Sequence, residues 1–97
     1  MHIPLVEYLT LYSEYEFFGD KGEEICCPSV NTGLFSAIIE QPTVDWVACG
    51  HDHNNDFYGQ YQGVMLSYAR KTGYGSYGPS MSIKGARVFE ISLEPTY

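Results

Sequence analysis

The clearest pattern along the chain is a short apolar run, Val44-Asp45-Trp46-Val47-Ala48-Cys49, that stops at Gly50 and gives way to His51-Asp52-His53-Asn54-Asn55-Asp56. Rich in β-branched and aromatic residues and too short for a typical helix, the run reads as a buried strand over 44–49. Upstream, Leu5, Tyr8, Leu9 and Tyr12 fall at i, i+3, i+4 and i+7, which predicts a short helix over 6–12, with Glu7 well placed for the helix dipole. Leu34, Phe35, Ala37, Ile38 and Ile39 make a second apolar stripe. It predicts a helix capped by Ser29 or Asn31 and running to about 41, where Pro42 closes it. A helix that leads straight into a buried strand is half of a crossover unit.

Past the polar cluster the pattern becomes β. Strands are predicted over 57–58, over 60–68 with Gly59 or Gly63 as turn or bulge, and over 86–93. In the last, Arg87, Phe89, Ile91 and Leu93 share one face and Val88, Glu90 and Ser92 the other, as in an antiparallel strand near a sheet edge. His2 to Leu5 reads as a strand end entering a loop, since Pro4 discourages further pairing. Residues 13–29 mix acids, Gly19, Gly22 and Pro28 without a sustained period and read as an irregular loop, a variable connection rather than a rim over a site. A Gly- and Tyr-rich loop follows at 72–85. The fold class is α/β, as a single α+β unit of helices flanking a mixed sheet.

In extended backbone, residues i and i+2 point to the same side with Cα atoms roughly 6–7 Å apart. If Gly50 ends a strand, His51 and His53 therefore face one cavity at its carboxyl end, where open α/β sheets place ligands. Imidazoles ligate zinc, iron and manganese-type ions, and two rings there can serve one ion or each of a pair about 3.5–4 Å apart. Asp52, Asn55 and Asp56 offer oxygen groups to hold the rings in place. The competing reading is a polar turn with two ordinary surface histidines; a glycine-terminated strand before and an Asn-Asn-Asp cluster after favour the metal. Glycines in the 72–85 loop would let backbone N–H groups approach an anion, though without P-loop spacing. A structural turn and a substrate-facing loop both fit, with Arg70 and Tyr74 as the substrate-side candidates.

Charge narrows the partners. Five basic against 12 acidic residues, net −7, argue against a general nucleic-acid surface. Yet Arg70, Lys71, Lys84 and Arg87 lie in a stretch with no acid between Phe57 and Glu90, a basic lining suited to an anionic phosphate. Cys26, Cys27 and Cys49 are odd in number and fit a reducing, intracellular compartment better than a disulfide framework. A zinc site joining the Cys-Cys pair to the histidines lacks Cys-x-x-Cys spacing. No apolar run reaches 18 residues, so no membrane span is expected. At 97 residues the chain is one domain or part of one; as a piece of a larger sandwich it would leave apolar surface open, with marginal stability or self-association as the consequence.

Gly50-His51-Asp52-His53 followed by Asn55-Asp56-Phe57 resembles the last metal motif, Gly-His-x-His, of the calcineurin-like metallophosphoesterases, in their purple-acid-phosphatase-like branch. His2-Ile3-Pro4-Leu5-x-Glu7-Tyr8 is similar to that branch's preceding motif, whose histidine is also a ligand. Asn31-Thr32-Gly33-Leu34-Phe35, Gly73-Tyr74-Gly75-x-Tyr77-Gly78 and Gly85-Ala86-Arg87-Val88 resemble the intervening helix start and the tail. The resemblance implies the C-terminal part of a metallophosphoesterase β-sandwich. It also implies a pair of divalent or trivalent ions of the iron, zinc or manganese class, with His51 and His2 on one ion and His53 on the other. The substrate would be a phosphoester, hydrolysed by a metal-activated water. The family's Asp-x-His, Gly-Asp and Gly-Asn-His motifs belong upstream of His2, so the missing partner is the N-terminal part of the same domain, and Met1 reads as a start added at a cut. Alone, the chain is then expected to be inactive and to hold metal weakly or not at all. Two alternatives stand beside this: a small β-rich binding module presenting tyrosines, and a family member that keeps the fold but not catalysis.

Overall fold

A computed structural model describes residues 1–79 and 83–94. In chain order these form helix α1 (Glu7–Glu14), strand β1 (Phe18–Lys21), helix α2 (Leu34–Glu40), and strands β2 (Trp46–Cys49), β3 (Asn55–Tyr61) and β4 (Val64–Tyr68). The strands make one sheet in the order β1-β3-β4-β2. β3 runs antiparallel to β1 and β4, while β2 runs parallel to β4, so the sheet is mixed and the class is α+β as expected.

The β3–β4 hairpin follows from its turn. Gln62 and Gly63 both adopt positive φ, at 49° and 81°, the signature of a two-residue turn whose twist matches the flanking strands. Of the two glycines expected as turn or bulge for the 60–68 stretch, Gly63 makes the turn and Gly59 lies inside β3. β2 starts at Trp46, and α2 starts at Leu34 behind Gly33, whose N–H is held by the Asn31 side chain at 2.9 Å.

The core joins Tyr8 and Leu11 of α1, Phe35 and Ile38 of α2, and Val47, Cys49, Phe57, Val64, Leu66 and Tyr68 of the sheet, with Ile25 from the connection between. Of the expected stripe Leu5, Tyr8, Leu9 and Tyr12, Tyr8 is buried and Leu5 packs against the core, whereas Leu9 is 42% exposed and Leu11 joins Tyr8 on the buried face. The helix is rotated so that the Tyr8 hydroxyl reaches the sheet. There it donates to the Ser67 carbonyl at 2.9 Å, lies 3.2 Å from the Val47 carbonyl, and accepts the Ser67 N–H at 3.2 Å.

Two expectations need correction. The stretch 13–29 contains β1, which pairs with β3 residue for residue from Phe18 opposite Tyr58 to Lys21 opposite Asn55. Its signal was faint because the pairing depends on Gly19, with φ of 104° and a Cβ position that would fall 2.2 Å from the Asp56 carbonyl oxygen. Conversely, 86–93 forms no strand. The Tyr68 carbonyl at the end of β4 accepts the Arg87 side chain at 2.6 Å, and Phe89 sets its ring against Trp46 at 4.9 Å. Ile91 and Leu93 are left 83% and 95% exposed. Of the 72–85 loop, residues 73–79 are irregular as expected, and 80–82 lie outside the described residues.

Tyr8→Phe keeps the ring but removes the buried hydroxyl's donation to the Ser67 carbonyl, so urea unfolding should show a loss of about 0.5–1.5 kcal/mol; an unchanged midpoint would show the hydroxyl to be dispensable. Burial also raises the Cys49 thiol from 9.0 to about 12 and the Tyr8 and Tyr68 phenols far above 10.0. The folded chain keeps protons that the unfolded chain releases, so stability is full below pH 9 and falls as pH rises past 9 and then 10. The urea midpoint should drop steadily above about pH 9, and a flat alkaline profile would contradict this burial.

Candidate metal centre

β2 delivers Gly50 and His51 at its carboxyl end, and the outer side of β2 delivers His2. The Met1 amine donates to the Ala48 carbonyl at 3.0 Å, and the His2 carbonyl accepts the N–H groups of both Gly50 and His51 at 3.0 Å. This backbone pairing sets the two rings edge to face, with His51 Nδ1 3.1 Å from His2 Nε2 and the planes 79° apart. An apolar groove lined by Met1, His2, Ala48, Cys49, Gly50 and Ala69 opens alongside.

His53 has a different neighbour. Its ring stacks on Tyr77 with centroids 4.1 Å apart and planes 14° from parallel, and its Nδ1 lies 2.8 Å from the Tyr77 carbonyl oxygen. The structure thus pairs His51 with His2 and His53 with Tyr77. The chain turns immediately after Gly50, and the Asn55 N–H closes that turn on the Asp52 carbonyl at 3.0 Å.

The oxygen groups brace this turn. Asp52, 2% exposed, accepts the Tyr68 hydroxyl at 2.6 Å and the Cys26 N–H at 3.1 Å. Asn55 accepts the N–H groups of Gly22 and Glu23, both at 3.0 Å, and its buried Nδ2 has no hydrogen-bond partner among the described residues. Asp56 pairs with two guanidinium groups: Arg70 at 2.6 Å, and Arg87. Arg70 also donates to the Ile83 carbonyl at 2.8 Å, so it acts as a clamp between β3 and the chain beyond β4. Lys71 turns to the Gly73 carbonyl, and Lys84 sits 5.2 Å from the ring of Tyr74, which is 91% exposed. The basic stretch is thus engaged within the chain.

Two residues escaped the sequence reading. Glu23, in the supposed variable loop, accepts the Tyr77 hydroxyl at 3.0 Å and the Asn54 N–H at 2.8 Å. The Tyr77 phenol is raised above its ordinary value: the His53 N–H lowers it, but burial and Glu23 outweigh that pull. No spacing rule links positions 54 residues apart, and Tyr77 looked no different from Tyr74.

Among the described residues, no three His, Cys, Asp or Glu side chains converge on one point. The imidazole pair does have a spacing suited to a shared ion. Two nitrogens each 2.0–2.1 Å from one metal stand about 2.9 Å apart at a right angle and about 3.4 Å at the tetrahedral angle. The same 3.1 Å suits a hydrogen bond between two neutral rings.

Against curated proteins the chain is 38% identical to probable inactive purple acid phosphatase 14 of Arabidopsis thaliana over 96 residues, 99% of this chain and 24% of that protein. It is 38% identical to probable inactive purple acid phosphatase 29 of the same plant over 92 residues, 95% of this chain and 24% of that protein. The chain belongs to the purple acid phosphatase-like family. This purple acid phosphatase-like chain spans about a quarter of the length of the curated relatives it matches. A third relative, probable inactive purple acid phosphatase 28 of Arabidopsis thaliana, is 35% identical over 92 residues. No family model and no solved structure matches.

Asp56→Asn removes the charge that docks Arg87 on the sheet. Limited trypsin digestion should then cut after Arg87 several-fold faster than in the parent chain, and unchanged cleavage would show that the ion pair does not hold the segment.

Proposed function

We propose that this chain contributes histidine ligands to the dinuclear-metal site of a phosphohydrolase whose remaining ligands come from other segments of the same domain. The observation that carries the reading is the 3.1 Å approach of the His2 and His51 nitrogens, made by residues far apart in sequence and set by backbone pairing. In this reading His2 and His51 hold one ion and His53 offers its Nε2 to the second. When bound, two cations of the iron, zinc or manganese class polarise a phosphoryl oxygen and acidify a water. The chain's own part is to fix the rings: the His2 carbonyl aligns the first pair, Tyr77 orients His53, and Asp52 and Asn55 hold the turn on which His51 and His53 sit. The substrate class is a phosphoester.

A second reading is favoured by the relatives' names, each of which says probable inactive. In that case the fold and the imidazoles persist without turnover.

Three neutral imidazoles lack the anionic ligands that offset a cation's charge, so the isolated chain should bind zinc weakly, at about micromolar to millimolar Kd. Calorimetric zinc titration should show that binding lost in His51→Ala and in His2→Ala, and the chain should not hydrolyse p-nitrophenyl phosphate. Zinc binding indifferent to both substitutions would overturn the metal reading, and turnover abolished by His51→Ala would overturn the need for further segments.

A further inference from the structure

We infer that Tyr77, anchored by Glu23, is a positioning residue that decides which nitrogen of His53 is presented to a metal ion; the inference rests on the metal reading above and deepens it. A neutral imidazole carries one N–H and one lone pair, and the partner of one nitrogen decides the character of the other. The Tyr77 carbonyl can only accept, so at 2.8 Å it makes Nδ1 of His53 the donor and leaves Nε2 with the free lone pair. The Ser76 hydroxyl, 3.4 Å from the same Nδ1, is the more distant partner. Ligating histidines commonly have this arrangement, the second nitrogen being held by a carbonyl or carboxylate.

Tyr77 is held at several points. Its ring lies nearly parallel to the imidazole, which resists a ring flip that would turn carbon toward the carbonyl. Its hydroxyl donates to Glu23 at 3.0 Å and accepts the His53 N–H at 3.2 Å, and Glu23 in turn accepts the Asn54 N–H at 2.8 Å. The next residue must be small. A Cβ at Gly78, where φ is 67°, would fall 2.5 Å from Asn54 Oδ1 and 3.2 Å from His53 Cβ. The glycine-tyrosine loop therefore serves the histidine motif. His51 is oriented differently, because its partner is another imidazole that can donate or accept.

The test is imidazole nitrogen NMR on the chain at about pH 8, above the ordinary histidine pKa of about 6.5, with and without zinc chloride. In the parent chain His53 should carry its proton on Nδ1, and zinc should shift Nε2. Tyr77→Ala should mix the two tautomers and raise the zinc midpoint at His53 by about 10- to 100-fold, with Tyr77→Phe and Glu23→Gln, which keep the stacked ring, in between. Because Tyr77 lies on an exposed loop, backbone amide shifts of β3 and β4 should stay in place and so separate positioning from unfolding. An Nε2–H tautomer in the parent chain overturns the inference. So does a zinc response at His53 that is the same in Tyr77→Ala, which leaves the metal reading standing. Zinc that shifts neither His51 nor His53 removes the metal reading and the ligand-positioning role with it.

Discussion

The Tyr8 hydroxyl sits where helix α1 meets the parallel strands β2 and β4. Met65 N–H donates to Asp45 and Ala69 N–H to Cys49, and midway between these rungs the phenol lies within 3.2 Å of both the Ser67 N–H and the Val47 carbonyl. A parallel pair of only four residues has few rungs of its own. Tying a buried phenol into that pair fixes the height and rotation of α1 over the sheet, and with it the path of the six residues before the helix. Those residues carry His2 back along β2, so the interaction that holds the core together also determines where the imidazole pair meets.

The site thus inherits its geometry from the sheet and very little of its charge. The chain has 12 acidic residues, yet those nearest the histidine motif are occupied in bracing it. Asp52 is buried against Tyr68 and Cys26, Asp56 pairs with two arginines, and Glu23 holds Tyr77. What remains for a cation is neutral nitrogen. On the proposed reading, neutral rings direct an ion but offset none of its charge, so metal binding stays weak until carboxylates join from other segments.

The regular elements could be read from the sequence wherever local pattern and tertiary role agreed. The 44–49 run, the α2 stripe and the Gly63 turn each state in a few residues what the structure does with them. The geometry of the histidine motif was not legible. The same-side rule assumed extended backbone beyond Gly50, whereas Asp52 turns inward to Tyr68 and bends the chain there, sending His51 and His53 to different partners. β1 and the 86–93 segment failed for opposite reasons. β1 has no alternation because its place is set by what Gly19 permits against Asp56, while 86–93 alternates well but meets a β4 already flanked by β3 and β2, and reaches the end of that strand through the Arg87 side chain.

The open edge of the sheet and the imidazole pair lie along the same strand. β2 is an edge strand, and Met1 and His2 lie along its outer side. Trp46 on that strand is 47% exposed, and Ile3 just beyond His2 is also exposed. Beyond the hydrogen bonds that Met1 and His2 make to it, an edge flanked by apolar side chains is a template for further strand pairing. On the proposed reading, the segment that covers this edge also brings the missing anionic ligands, because both needs arise along the strand that leads to the His2–His51 pair. Completing the sheet and completing the metal site would then be a single thermodynamic event, in which ion binding contributes to folding stability and folding sets ion affinity.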